Sequence, residues 1–174
     1  QGSPAIFVAR IFEGRSDNIT KGDGQAFAPS FSPDGKQIAY ASNKTGNMEI
    51  WVANADGSGA RRITSNPGID TAPAWSPTGQ EIAFNSDRAG TPQIYVMDSE
   101  GTGSRRVTLA GNWNDEGAWS PDGARIAFAC RNEGDFNICV MDMESGRTVQ
   151  LTSDGSNGHP TWSPDGEKIV YQSR

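Results

Sequence analysis

The sequence predicts an all-β fold, a four-bladed β-propeller of four-stranded antiparallel blades, and three observations predict it. A self-match recurs every 44 residues, opened by Ile19-Thr20, Ile63-Thr64, Val107-Thr108 and Leu151-Thr152. Eleven or twelve positions after each Thr stands Ser-Pro-Asp-Gly or Ser-Pro-Thr-Gly, beginning at Ser32, Ser76, Ser120 and Ser163. Short apolar runs separated by Gly-, Pro- and Asp-containing turns fill the interval. A period of roughly 40 to 45 residues with turns at this spacing fits one propeller blade per repeat.

The second repeat shows each element in order. Residues 72–76 read as the innermost strand and Pro77-Thr78-Gly79 as the turn after it; residues 81–86, 93–98 and 104–108 follow as the second, third and fourth strands. The apolar residues of the middle strands run continuously, as expected where both faces of a sheet are packed. In the Ser-Pro-Asp-Gly turns, Pro presets φ, Asp can bond a nearby backbone N–H, and Gly supplies positive φ. Phe31, Trp75, Trp119 and Trp162 occupy one repeat position, and Tyr40, Phe84, Phe128 and Tyr171 another. Their recurrence predicts packing between blades.

The ends align with different parts of the repeat. Residues 5–9 match the third strand at 93–97, whereas 161–166 and 168–171 match first and second strands. The expected layout is one domain over 1–174, with blades at 21–64, 65–108 and 109–152 and a composite blade of 153–174 plus 1–20. Pairing the N-terminal strands (about 5–20) with the C-terminal strands (about 153–174) would close the ring within a monomer and remove its exposed edges.

Composition bounds the function. The 21 Gly and 10 Pro fall at recurring turn positions, so a hydrophobic content of 34% reflects tight turns rather than disorder. A net charge of -6 argues against nucleic acid and against an anionic membrane surface, both of which select clustered Lys and Arg. No run approaches the roughly 18 apolar residues of a membrane span. The N-terminal stretch has no basic region followed by an apolar one, so the chain reads as either mature or never exported.

The strings Pro73-Ala74-Trp75-Ser76-Pro77, Ile82-Ala83-Phe84, Ile94-Tyr95-Val96-Met97-Asp98 and Arg105-Arg106-Val107-Thr108 resemble the TolB-type propeller repeat. The resemblance covers nearly the whole chain. It implies a propeller of the kind found in bacterial periplasmic scaffolds and in the propellers of prolyl oligopeptidase-like peptidases. Family members of the TolB type have six blades, an additional N-terminal domain and a lipoprotein partner, and four repeats depart from that count.

Function is sought where the copies disagree, because packing constraints are common to all blades. The loops entering the innermost strands, at 22–27, 66–71, 112–116 and 154–159, differ most. Together with the second-to-third-strand loops they are expected around one mouth of the channel. That face predicts a protein or peptide interface with Trp113 as aromatic anchor and Asp70, Asp115, Glu116, Arg88, Arg131, His159 and Phe27 around it. Each aromatic could instead fold back as a lid on its own loop, and Phe27 is expected to be the more buried. An alternative reading places an ion such as Ca²⁺ on Asp70, Asn114 and Asn157, which offer oxygen ligands from three blades. No other cofactor is expected.

Catalysis has little support in the pattern. His159 is the single histidine and no Gly-x-Ser-x-Gly occurs. Asp115 and Glu116 are adjacent, and adjacent residues on an extended strand point opposite ways. Cys130 and Cys139 flank a short hairpin as direct cross-strand partners and are a disulfide candidate. A bridge would imply an oxidising compartment, periplasmic or extracellular. The sequence therefore reads as a non-enzymatic binding propeller, with channel-ligand binding, or a segment of a larger TolB-like or peptidase propeller, as alternatives.

Overall fold

The computed structural model describes residues 2–22 and 24–174, so Asp23, in the first of the variable loops, lies outside the described residues. The architecture is all-β, with sixteen strands and no helix among these residues. The first pair is β1 (Phe7–Arg10) and β2 (Arg15–Asn18). Blade 1 holds β3 (Ala26–Phe31), β4 (Gln37–Ser42), β5 (Glu49–Asn54) and β6 (Arg61–Arg62). Blade 2 holds β7 (Asp70–Trp75), β8 (Glu81–Ser86), β9 (Gln93–Asp98) and β10 (Arg105–Arg106). Blade 3 holds β11 (Trp113–Trp119), β12 (Arg125–Arg131), β13 (Asn137–Asp142) and β14 (Thr148–Gln150). A last pair, β15 (Asn157–Trp162) and β16 (Ile169–Ser173), ends the chain. Each complete blade is an antiparallel meander in chain order.

The repeated dipeptides explain the period. Thr20, Thr64, Thr108 and Thr152 each accept through Oγ1 the backbone N–H of the third-strand Ile fourteen residues earlier, at 2.8–3.0 Å. The Ile-Thr signature thus pins the outermost strand to its neighbour where the ladder is shortest. In the Ser-Pro-Asp-Gly turns, Ser32 donates its hydroxyl to Asp34 at 2.7 Å and accepts the Gln37 N–H at 2.9 Å. Ser120 and Ser163 repeat that pattern, and in each case the Ser hydroxyl bond, followed by a backbone N–H, holds the Asp carboxyl below its ordinary pKa.

Each innermost strand carries a β-bulge at the same place. The register shifts between Phe27 and Ser30, Thr71 and Ala74, Asp115 and Ala118, and Gly158 and Thr161. Ala28, Ala72, Glu116 and His159 sit in these bulges with φ of 49°, 49°, 60° and 52°, the left-handed region. A bulge bends its strand and re-aims the extra residue, so these four positions break the in–out alternation of the strand.

Blades stack through three matching apolar joints. Ile6 and Ile19 pack on Ile38, Tyr40 and Trp51; Ile50, Val52 and Ile63 on Ile82, Phe84, Tyr95 and Met97; and Ile94 and Val96 on Ile126, Phe128, Cys139 and Met141. The expected inter-blade aromatics lie where predicted, and Trp119 and Trp162 donate their indole N–H groups to Ala74 and Ala118 carbonyls of the preceding blade at 3.1 and 3.0 Å. Phe31 and Tyr171 are the exceptions at 53% and 43% exposed, Phe31 because the pair β1–β2 in front of it supplies no innermost strand and Tyr171 because β16 pairs with β15 alone.

Two expectations are corrected. Among the described residues the seam between the N-terminal and C-terminal strands is not formed: β1–β2 and β15–β16 are separate two-stranded sheets. β1 and β16 therefore each keep one edge without a strand partner. The second correction concerns register. Cys130 and Cys139 are joined by a disulfide with Cα atoms 5.8 Å apart, yet the direct partners are Cys130 with Asn137 and Phe128 with Cys139. The bridge is diagonal because the turn is centred one residue earlier than the spacing suggests.

Candidate functional site

The face expected to bind divides into three places. In blade 2, Asp70 is fully buried, and its Oδ2 accepts Arg88 Nη2 at 2.8 Å and Asn66 Nδ2 at 2.6 Å. The Arg88 guanidinium also lies 4.7 Å from the Tyr95 ring centre and 5.3 Å from that of Phe84, and Nε donates to Ser86 Oγ. This pair is consumed in fastening the loop at 66–71 to its own blade. Removing one partner would strand a buried charge, so its first role is structural.

Phe27, in blade 1, stands apart. It is 40% exposed, which corrects the expectation that it would be the more buried aromatic. The physical reason is its position immediately before the left-handed Ala28, where the bulge interrupts the packed ladder. Trp113 is half-buried, with the Phe136 ring edge-on at 6.2 Å and the Arg131 guanidinium 5.3 Å from its centre. Arg131 lies 4.6 Å from the Phe136 ring as well, so one cation bridges both aromatics.

The remaining candidates converge between blade 3 and β15. Trp113, Asp115, Glu116, Phe136, Asn157 and His159 line a cavity of about 280 Å³, with Arg174 at its edge. Glu116 accepts the His159 backbone N–H at 2.5 Å through Oε2, and its Oε1 lies 3.0 Å from His159 Nδ1. One carboxylate therefore ties the innermost strands of two successive sheets together. Gly158 permits the approach, since a Cβ there would stand 3.1 Å from Glu116 Oε2. The alternation expected for Asp115 and Glu116 is overturned here, because the bulge brings both to one cavity.

Burial pushes the Asp115 carboxyl above the usual carboxylate range, aided by the neighbouring Glu116 charge. Hydrogen bonds from the Glu116 N–H and the Trp113 side chain, and attraction to His159, oppose that shift. The site thus pairs a reluctant carboxylate with a flat aromatic wall.

The oxygen ligands considered for an ion are engaged locally. Asn114 donates to Gln93 Oε1 and the Ala110 carbonyl, both at 2.8 Å, and Asn157 donates to Thr152 Oγ1 and the Asp154 carbonyl. Among the described residues no three His, Cys, Asp or Glu side chains gather as metal ligands would. Sequence reasoning missed Phe136, Gly158 and the pairing of Glu116 with His159. The signal for the pairing was available, because both align with Ala28 and Ala72.

The comparisons with known proteins concern the fold and the family. The family model for the TolB beta propeller domain matches residues 1–174. The structure is similar to that of TolB from Acinetobacter baumannii, with 35% identity and a TM-score of 0.87, covering 98% of this chain and 43% of that one. It is also similar to a putative TolB from Agrobacterium tumefaciens, with 26% identity and a TM-score of 0.86, covering 99% of this chain and 68% of that one. A stretch of 61 residues, 35% of this chain, is 42% identical to 14% of the Tol-Pal system protein TolB of Anaeromyxobacter dehalogenans. The chain thus spans well under two thirds of the length of the first two of these TolB relatives with names that are not putative. By a match that runs its full length, the chain belongs to the TolB beta propeller domain family.

Proposed function

We propose that this chain is a non-enzymatic binding module that receives a protein or peptide at the cavity between blade 3 and β15. One observation carries the reading. Of four bulge positions with the same left-handed backbone, two hold Ala and two hold Glu116 and His159, cross-linked over an aromatic-walled cavity. The shared backbone is architecture, whereas the carboxylate–imidazole pair on it occurs at one joint alone. At about 280 Å³ the cavity falls just under the roughly 300–1,000 Å³ of small-molecule pockets. That size suits one or two side chains of a docking partner, with Trp113 as the anchor and Asp115, Glu116, Arg131 and His159 around it.

The Cys130–Cys139 bridge supports an oxidising location, periplasmic or extracellular. A relative is a Tol-Pal system protein by name, so proteins of that system are the first partners to try, followed by a displayed peptide library. Trp113→Ala should weaken any partner bound here by about tenfold or more, the range of an aromatic hot spot, with little change in melting temperature. A large loss of stability would assign Trp113 to the core, and partners bound equally by the Trp113→Ala and Glu116→Ala variants would refute the site.

A further inference from the structure

In blade 2 the Arg88 side chain has a socket of its own. Its Nε donates to Ser86 Oγ at 2.8 Å, Nη1 to Ser104 Oγ at 3.3 Å and Nη2 to Asp70 Oδ2 at 2.8 Å, while the guanidinium lies against the Phe84 and Tyr95 rings. One repeat period on, the counterparts of these five partners are Cys130, Thr148, Asn114, Phe128 and Cys139. All five line a single cavity of about 480 Å³, where the connection from blade 2 enters blade 3. That size is within the roughly 300–1,000 Å³ of ligand pockets. The cavity draws on residues 108–153 only, so neither end of the chain contributes to it. It also shares no lining residue with the cavity between blade 3 and β15.

The counterpart of Arg88 is Asn132, which is shorter, exposed, and held at its carbonyl by Asn112 Nδ2. Blade 1 keeps a cation at this position, Lys44 over Trp51. Blade 3 thus retains the surroundings of a cation without supplying one. Its wall favours a positive guest, because Gln150 stands where blade 2 has Arg106 and the exposed Glu133 lies beside it. The other charge on the wall, Arg131, has its guanidinium on the Trp113 and Phe136 rings. Asn114 makes both of its bonds through Nδ2, so Oδ1 is the acceptor it can offer.

We propose that this cavity receives an arginine side chain of a partner protein, its guanidinium stacked on Phe128 and donating to Asn114, Thr148 and Glu133. Arginine suits the place because its planar fork reaches several acceptors around one ring, as Arg88 does in blade 2. Leu109, 82% exposed at the cavity wall, offers apolar surface to the alkyl stem.

Titration of the oxidised chain with N-acetyl-arginine amide, followed by amide shifts in NMR spectra, tests the assignment. Saturable shifts are expected around Asn114, Phe128, Cys139 and Thr148, with the neutral N-acetyl-citrulline amide binding about tenfold more weakly. Asn132→Arg supplies the guanidinium from the chain itself and should abolish the response without lowering the melting temperature. Glu133→Gln, a change at an exposed position, should weaken binding by about threefold. Equal binding of the arginine and citrulline derivatives would overturn the proposal. So would an undiminished response in Asn132→Arg, shifts centred instead on Glu116 and His159, or no saturable binding of the arginine derivative.

Discussion

Phe84 and Tyr171 hold the same position in two copies of the repeat, yet Phe84 is 1% exposed and Tyr171 43%. Their strands have the same partner on one side, the innermost strand. They differ on the other, where Phe84 meets Tyr95 at a ring distance of 5.8 Å and Tyr171 meets an open groove. Phe31 and Trp75 make the same contrast at the other end, at 53% and 9%. Burial in this fold is therefore a property of the joint rather than of the residue, and a repeat sequence identical in pattern can be core in one blade and surface in the next.

The largest expected effect breaks an interior joint. Phe84→Ala should cost about 3–5 kcal/mol, the range for deleting a buried aromatic from a packed core. Tyr171→Ala should cost under about 1 kcal/mol in dilute solution, because much of its surface is already in water. Urea midpoints of the two variants test the contrast directly. If the two losses are equal, the groove beside β16 is filled under the conditions used.

A smaller effect separates blade 3 from the blades before it. At the position of Cys139, blades 1 and 2 carry Trp51 and Tyr95, with Lys44 at 5.5 Å and Arg88 at 4.7 Å from the ring centres. Blade 3 replaces that cation-on-ring stack with the bridge to Cys130. Closing so short a loop stabilises by roughly 2 to 3 kcal/mol in the chain-entropy model. Replacing both cysteines by Ser should lower stability by about that amount, measured by thermal unfolding, and a reductant should reproduce the loss in the unsubstituted chain while leaving the double variant unchanged.

Much of the blade was legible because its signals are local and repeated four times. Ile63-Thr64, Ser76-Pro77 and the run Ile94-Tyr95-Val96-Met97 each mark a strand or turn by their own chemistry, and the observed strands follow them closely. The seam was not legible, since the pattern shows which half-blades fit each other but not how far each joint turns the chain. The candidate site was half legible. Trp113, Asp115, Arg131 and His159 stood out as departures from the repeat, whereas Asp70 and Arg88 departed in the same way and turned out to bind each other. What separates the two groups is the bulge, a one-residue backbone feature that puts Glu116 beside Asp115 and His159, and alternation rules assume its absence.

The smallest expected effect has the opposite sign and sharpens the distinction between site and scaffold. Burial raises the Asp115 pKa, so the folded chain holds that proton more tightly than the unfolded one. Stability is then lost as pH rises from the ordinary carboxylate value through the raised folded value, because the unfolded state ionises first. Asp34, Asp122 and Asp165 act the other way. Their Ser hydroxyl and backbone N–H donors lower the folded pKa, so the stability they add is present at neutral pH and lost as pH falls below the ordinary value. At pH 7 Asp115→Asn should therefore raise the melting temperature and Asp122→Asn should lower it, with both differences shrinking in acid. A fall for Asp115→Asn at pH 7 would show that its carboxylate supports the fold, and the cavity beside Glu116 and His159 would lose its strained acid as a reason to be read as a binding site.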